Sequence, residues 1–204
     1  MSEVDSVVEA VRDGGLAVIP TDTVYGLACA PSDEAAVRVL SALKGRSPEQ
    51  PISIIASSLD VLLELVPELR GRSALAARAL LPGAYTLVLP NPARRFGWLA
   101  GAGRETIGVR VPALAGPGRL VLERLGAVAA TSANLHGGPD PRTLDDVPAE
   151  IRVACLTLDG GTLPGTPSTV LDLTGPAPRV LREGAVPTDE VLARLAVLTD
   201  EPMP

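Results

Sequence analysis

Short runs of strand-forming residues, most of them closed by glycine or proline, recur along this chain and alternate irregularly with segments of helical period. Residues 85–89, 106–111, 127–130, 155–158, 169–173 and 180–182 are such runs, and 16–19 and 52–56 are two more. Brief apolar runs bounded by turn residues read as strands. Val4, Val7, Val8 and Val11 repeat at helical spacing behind Ser2 and ahead of Gly14-Gly15, so 3–13 reads as an amphipathic helix. Further helices are expected at 33–43, capped by Ser32, then at 59–66, 74–81 and 190–198, the last introduced by Thr188. The irregular order favours an α/β fold with a sheet of mixed direction over a strict βαβ repeat.

Hydrophobic residues make up 46% of the 204 residues but aromatics only 2%, so the core must be built from Ala, Val, Leu and Ile. A chain of this length buries about 70% of its unfolded surface and needs no staple. One domain over 1–198 is expected, followed by a tail at 199–204. Eighteen basic against 24 acidic side chains leave a net charge of −6, with no polybasic block. Tight sequence-independent binding to nucleic acid rests on many Lys and Arg contacts to phosphate, so no stable nucleic-acid complex is expected. The first residues, MSEVDSVVEAVRD, carry acids where a secretory signal carries bases, and no apolar run reaches the length of a membrane span. The expected location is the cytoplasm.

Cys29, Cys155 and the single histidine, His136, are too few for a zinc site built from protein ligands, and the two cysteines read as reduced core residues. No GxxxxGK[ST] or GxGxxG stands between a strand and a helix, so neither glycine-rich nucleotide signature is present. If a nucleotide binds, it must be held by cations and hydroxyls at strand ends, where small ligands sit in open α/β sheets. Candidates are Lys44, Arg46, Arg110 and Arg182, with Thr21, Thr23, Thr106, Ser132, Ser168 and Thr169. Arg110 in IGVRVP and Arg182 in RVLREG are framed by strand residues; each could face solvent by simple alternation, or face an anion that its planar fork suits.

Taken together, Pro20 to Leu27 (PTDTVYGL), Lys44-Gly45-Arg46 with Pro51, Pro82-Gly83-Ala84-Tyr85-Thr86, Val109 to Pro112 (VRVP), Ser132-Ala133-Asn134, Ser168 to Asp172 (STVLD) and Arg182-Glu183-Gly184 follow one another in the order of the Sua5/YrdC/YciO family, which the chain resembles over almost its whole length. The resemblance implies a twisted mixed sheet with flanking helices and a large concave, positively lined cleft. It also implies synthesis of threonylcarbamoyl-AMP and pyrophosphate from L-threonine, bicarbonate and ATP, a nucleotidyl transfer on the route to the t6A modification of tRNA. On that basis Lys44, Arg46 and Arg110 would be the catalytic cations. Thr23, Arg110 and Ser168 would hold threonine, and Lys44, Arg46, Gln50, Thr106, Ser132, Asn134 and Arg182 would hold ATP. Tyr25 would wall the cleft, Mg2+ would ride on phosphate oxygens and water, and t6A transferase machinery would take the product.

Asp140 stands where members often carry a hydroxyl, and a carboxylate there repels phosphate unless a metal bridges the two. Asp22 is left without a role. Some members carry a second domain, and this chain reads as the short form. A double-stranded RNA-binding module and a carbamoyl-transfer relative of hydrogenase-maturation proteins are the competing readings. Alanine at Arg110 or Lys44 is expected to remove activity with little change in melting temperature.

Overall fold

The structure is a computed structural model and describes residues 2–47, 49–101 and 105–196. The expected tail at 199–204 lies outside them, as does the end of the last expected helix.

Helix α1 (Glu3–Arg12) opens with a capping box: the Asp5 amide donates to Ser2 Oγ and the Ser2 amide to Asp5 Oδ2. Its four valines are buried. Strand β1 (Ala17–Pro20) turns back directly into β2 (Tyr25–Cys29), pairing Pro20 with Tyr25 and Ala17 with Ala28. The periodicity gave only the first of these strands. Every residue of β2 is buried, so the run lacks the alternation that marks a half-exposed strand. Helix α2 (Glu34–Leu43) is capped by Asp33, whose carboxylate accepts from the Ala36 amide, and not by Ser32 as expected.

The chain continues through β3 (Ser53–Ala56), α3 (Leu59–Leu65), α4 (Gly71–Leu80), β4 (Tyr85–Pro90), β5 (Thr106–Arg110), α5 (Gly116–Leu125), β6 (Ala127–Ser132), α6 (Ala149–Ala154), β7 (Leu156–Thr157), β8 (Thr169–Asp172), β9 (Arg179–Arg182) and α7 (Thr188–Ala196). Helices α5 and α6 have no counterpart in the sequence expectation. The first begins in Gly116-Pro117-Gly118, which reads as a turn although proline suits a helix's first turn. The second spans only six residues.

Among the described residues the strands form one nine-stranded sheet, ordered β7-β1-β2-β6-β3-β5-β4-β8-β9. Pairs β1/β7, β3/β5 and β4/β8 are parallel and the rest antiparallel, which is the mixed sheet expected. One face is covered along its length: residues of α2, α3, α4, α6 and α7 share a core with β2, β3, β4, β5 and β8. The opposite face is covered over only part of its width, by α1 and α5, whose Val4, Val7, Val8, Val11, Val121 and Leu122 pack on β1, β2, β6 and β3. No residue of β5, β4, β8 or β9 belongs to that second core. The uncovered part of this face holds the candidate site.

Candidate ligand site

Side chains alternate between the two faces of a strand, so cross-strand register decides which residues share the uncovered face. Gly26 lies opposite Ser132 and Ser53 opposite Ala130. Ile55 lies opposite Arg110 and Val88 opposite Gly108. Thr86 lies opposite Val170, which lies opposite Arg182. These residues, with Thr106, line one cavity of about 410 Å³, within the usual range for small-molecule sites. Gly26 and Gly108 keep its floor low, and a Cβ on Gly108 would sit 2.8 Å from Ser53 Oγ. The walls are irregular segments: the β1–β2 turn brings Thr21 and Thr23, the α2–β3 loop Arg46 and Gln50, and the chain before β8 Pro167 and Ser168.

Arg110 lines the cavity from the end of β5. Its Nη2 donates to Thr23 Oγ1 at 2.8 Å and to Asp22 Oδ1, in an ion pair whose side chains are 8% and 9% exposed. The other Asp22 oxygen accepts from the Ala113 amide at 3.0 Å. Thr21 Oγ1 donates to the Val24 carbonyl at 2.6 Å and accepts from the Thr23 and Val24 amides, so that hydroxyl is used in shaping the turn. Burial pulls the Arg110 guanidinium below its ordinary value, and the Asp22 carboxylate opposes that pull. Arg110 Nε is buried without a hydrogen-bond partner. Of the two readings of an arginine inside a strand, the structure gives the one turned inward.

Arg46 reaches the cavity beside Thr131, to whose Oγ1 it donates at 3.1 Å, while Nη2 donates to the Pro51 carbonyl at 2.9 Å. Its Nε and the neighbouring Gln50 Oε1 are buried without partners. Lys44 and Asn134 stand behind the wall and do not line the cavity. Lys44 Nζ donates to the Ser132 carbonyl, to the Asn134 carbonyl at 3.0 Å and to Asn134 Oδ1, and it lies 3.3 Å from Ser132 Oγ. Asn134 Nδ2 donates to the Gly138 carbonyl at 2.6 Å. Desolvation and the nearby Arg46 bring the Lys44 ammonium down to about 8, against the influence of Asp140, a carboxylate that does line the cavity.

Where β4, β8 and β9 border the cavity, Ser168 Oγ and Thr86 Oγ1 are 2.8 Å apart, and Arg182 Nη2 donates to the Ser168 carbonyl. Gly184 is forced by this closeness, since a Cβ there would fall 2.2 Å from the Pro167 carbonyl oxygen. The cavity therefore gathers Thr23, Arg46, Gln50, Thr106, Arg110, Ser132, Ser168 and Arg182 of the residues expected from sequence. Tyr25 is not a wall of it: the side chain is fully buried, and its hydroxyl bonds Asp159 Oδ1, the Gly161 carbonyl and the Gly160 amide. Asp22 and Thr86 were not assigned from sequence. For Asp22 the available signal was an acid next to a buried-looking strand, which needs a cation nearby.

Cys29 is buried and Cys155 half-buried, and desolvation pushes their thiols up to about 12 and about 11, which makes both poor nucleophiles. Among the described residues no group of three His, Cys, Asp or Glu side chains is placed to hold a metal ion, and no helix is long and apolar enough to cross a membrane.

The profile of the family described as Sua5_yciO_yrdC, telomere recombination, matches residues 9–184. The chain belongs to the Sua5/YciO/YrdC family. The threonylcarbamoyl-AMP synthase of Pyrococcus abyssi is 35% identical over 183 residues, which are 89% of this chain and 54% of that protein. This chain thus spans about half the length of that relative. The synthase of the same name from Stenotrophomonas maltophilia is 37% identical over 164 residues, covering 78% of this chain and 86% of that one. A solved structure of P. abyssi Sua5 complexed with L-threonine matches with a TM-score of 0.85 at 33% identity, covering 95% of this chain and 58% of the other. The fold of the Sua5/YciO/YrdC family is therefore the fold of this chain.

Proposed function

We propose that this chain is an L-threonylcarbamoyladenylate synthase, a nucleotidyltransferase acting in the cytoplasm on the route to t6A in tRNA. The observation that carries the reading is the polar half-face of the sheet, lined by the buried Arg110 and by Arg46 and Arg182, which among the described residues pair with no carboxylate. The threonylcarbamoyl-AMP synthases among the relatives, and the threonine bound by the P. abyssi protein, support it.

In this reading Arg110 meets the threonine carboxylate, with Thr23 and Ser168 beside it. Arg46, Gln50, Thr106 and Arg182 receive the nucleotide and its phosphates, together with Ser132. Lys44 and Asn134 act one step back, fixing the Ser132 turn through the bonds described above. Threonine's amine adds to bicarbonate with loss of water, and the carbamate oxygen then attacks the α-phosphorus of ATP, releasing pyrophosphate. Charge builds on phosphate oxygens, where prearranged cations and N–H groups stabilise it most. No covalent nucleophile is needed.

Mg2+, which seldom uses an all-protein cage, would neutralise the phosphates from a shell of phosphate oxygens and water. The donor set fits that arrangement, because Asp140 is the one carboxylate among the described cavity-lining residues and faces a space rimmed by hydroxyls. The t6A transferase machinery would receive the product. The test is to incubate the protein with ATP, bicarbonate and each amino acid in turn. Pyrophosphate should appear with threonine far above the others, and threonine-independent release would overturn the reading.

A further inference from the structure

Asp22 touches the cavity's buried arginine, Arg110, yet does not itself line the cavity. Its two oxygens tie together parts of the chain far apart in sequence: one binds Arg110 at the end of β5, and the other accepts from the Ala113 amide just beyond it. The carboxylate is thereby fixed at both ends. Arg110 Nη2 is saturated in turn, one bond going to Asp22 and one to Thr23. The rest of the guanidinium makes no protein hydrogen bond among the described residues, and Nε is buried with none. A buried guanidinium that is charge-balanced but short of acceptors is half of a site, since stranded buried donors are costly.

We propose that Asp22 is the positioning residue of an anion subsite for a small monocarboxylate, the carboxylate end of an amino acid. By anchoring Nη2 to the turn, it fixes the plane of the fork and leaves the remaining N–H groups to the ligand. Its charge lets a cation stay buried while empty, so no counter-ion need be displaced before the amino acid binds. Asp22 acts through Arg110 and touches no reacting atom. This rests on the assignment of Arg110 to the threonine carboxylate.

The test compares wild type with Asp22→Asn and Asp22→Glu, measuring threonine affinity by calorimetry, KM for threonine and for ATP separately, and the melting temperature. Asp22→Asn should weaken threonine roughly 10- to 100-fold, the worth of a charge-assisted hydrogen bond, and leave the ATP KM within about twofold. Asp22→Glu, which keeps the charge one methylene further out, should recover part of the loss. An unchanged threonine affinity in Asp22→Asn, or equal weakening of both substrates in step with a lower melting temperature, overturns the proposal. If Asp22→Asn does not fold, the threonine-to-ATP ratio in Asp22→Glu decides in the same way. Failure of wild type to bind threonine would instead remove the underlying assignment, so the two failures are distinguishable.

Discussion

Arg110 and Lys44 are the two most deeply buried cations of the site, and they are kept there by opposite means. Arg110 has a full countercharge in Asp22. Lys44 is hydrogen-bonded instead to oxygens of Ser132 and Asn134, neutral groups around its ammonium, with the Asp140 carboxylate acting on it without a hydrogen bond. A carboxylate partner keeps an arginine charged across the whole working range of pH, whereas neutral oxygens leave a lysine exposed to its own desolvation. The charge beside Thr23 is thus permanently set, whereas the wall at Ser132 is held by a group that titrates. Arg110 also lines the cavity with donors to spare, while Lys44 spends its donors holding the wall.

The largest effect is expected at Arg110. Arg110→Ala should lower threonine-dependent turnover by about 10²- to 10³-fold in kcat/KM, the scale for losing one partner of a buried charge pair. It should also cost about 3–5 kcal/mol of stability, because Asp22 is left buried and unpaired. The buried ion pair with Asp22 argues for a lowered melting temperature in Arg110→Ala, where the sequence alone suggests a nearly unchanged one. Arg110→Lys sharpens the point: it keeps the charge for Asp22 and loses the fork, so most of the stability should return while turnover stays low. Kinetics beside thermal melts of both variants give the answer.

Lys44→Met is expected to do less. Stranding the carbonyls of Ser132 and Asn134 should cost about 1–3 kcal/mol. Nucleotide affinity should fall because the Ser132 turn loosens. A calorimetric titration with ATP beside a melt separates this from Arg110→Ala, in which threonine binding is the larger loss.

How far such a site can be read from sequence depends on the separation of its parts. Thr106, Gly108 and Arg110 share a face by alternation alone, and the motif order brings Ser168 and Arg182 into the same family pattern. The pairing of Asp22 with Arg110 spans 88 positions and the turn of an unrecognised hairpin, and no local rule supplies it. Lys44 and Arg46 look equivalent in Lys-Gly-Arg. Only the packed wall turns one inward to Ser132 and Asn134 and lets the other line the cavity. Strand β2 escaped because burial on both faces erases period two. Helix α5 escaped because its first turn is written in turn residues, and Asp33 took the α2 cap from Ser32 although both are good capping types.

The subtlest outcomes come from titration. Lys44 sits at about 8 in the fold against its ordinary 10.5, so between these pH values the unfolded chain binds more protons than the folded one. Stability contributed by this group must therefore rise as pH increases from about 8 toward 10.5, and it is least below about 8, where the buried ammonium stays charged. Nucleotide binding should move the other way, because the wall loses a positive charge as pH passes about 8. Denaturant melts and ATP titrations at pH 7, 8 and 9 on wild type and Lys44→Met would show the two trends diverging in wild type only. Parallel trends would mean that Lys44 remains charged throughout, balanced as firmly as Arg110. Smaller still, Tyr25→Phe should cost about 1 kcal/mol by removing the hydroxyl that ties down Asp159 and Gly160, with ATP and threonine affinities unchanged because Tyr25 faces the core and not the ligand.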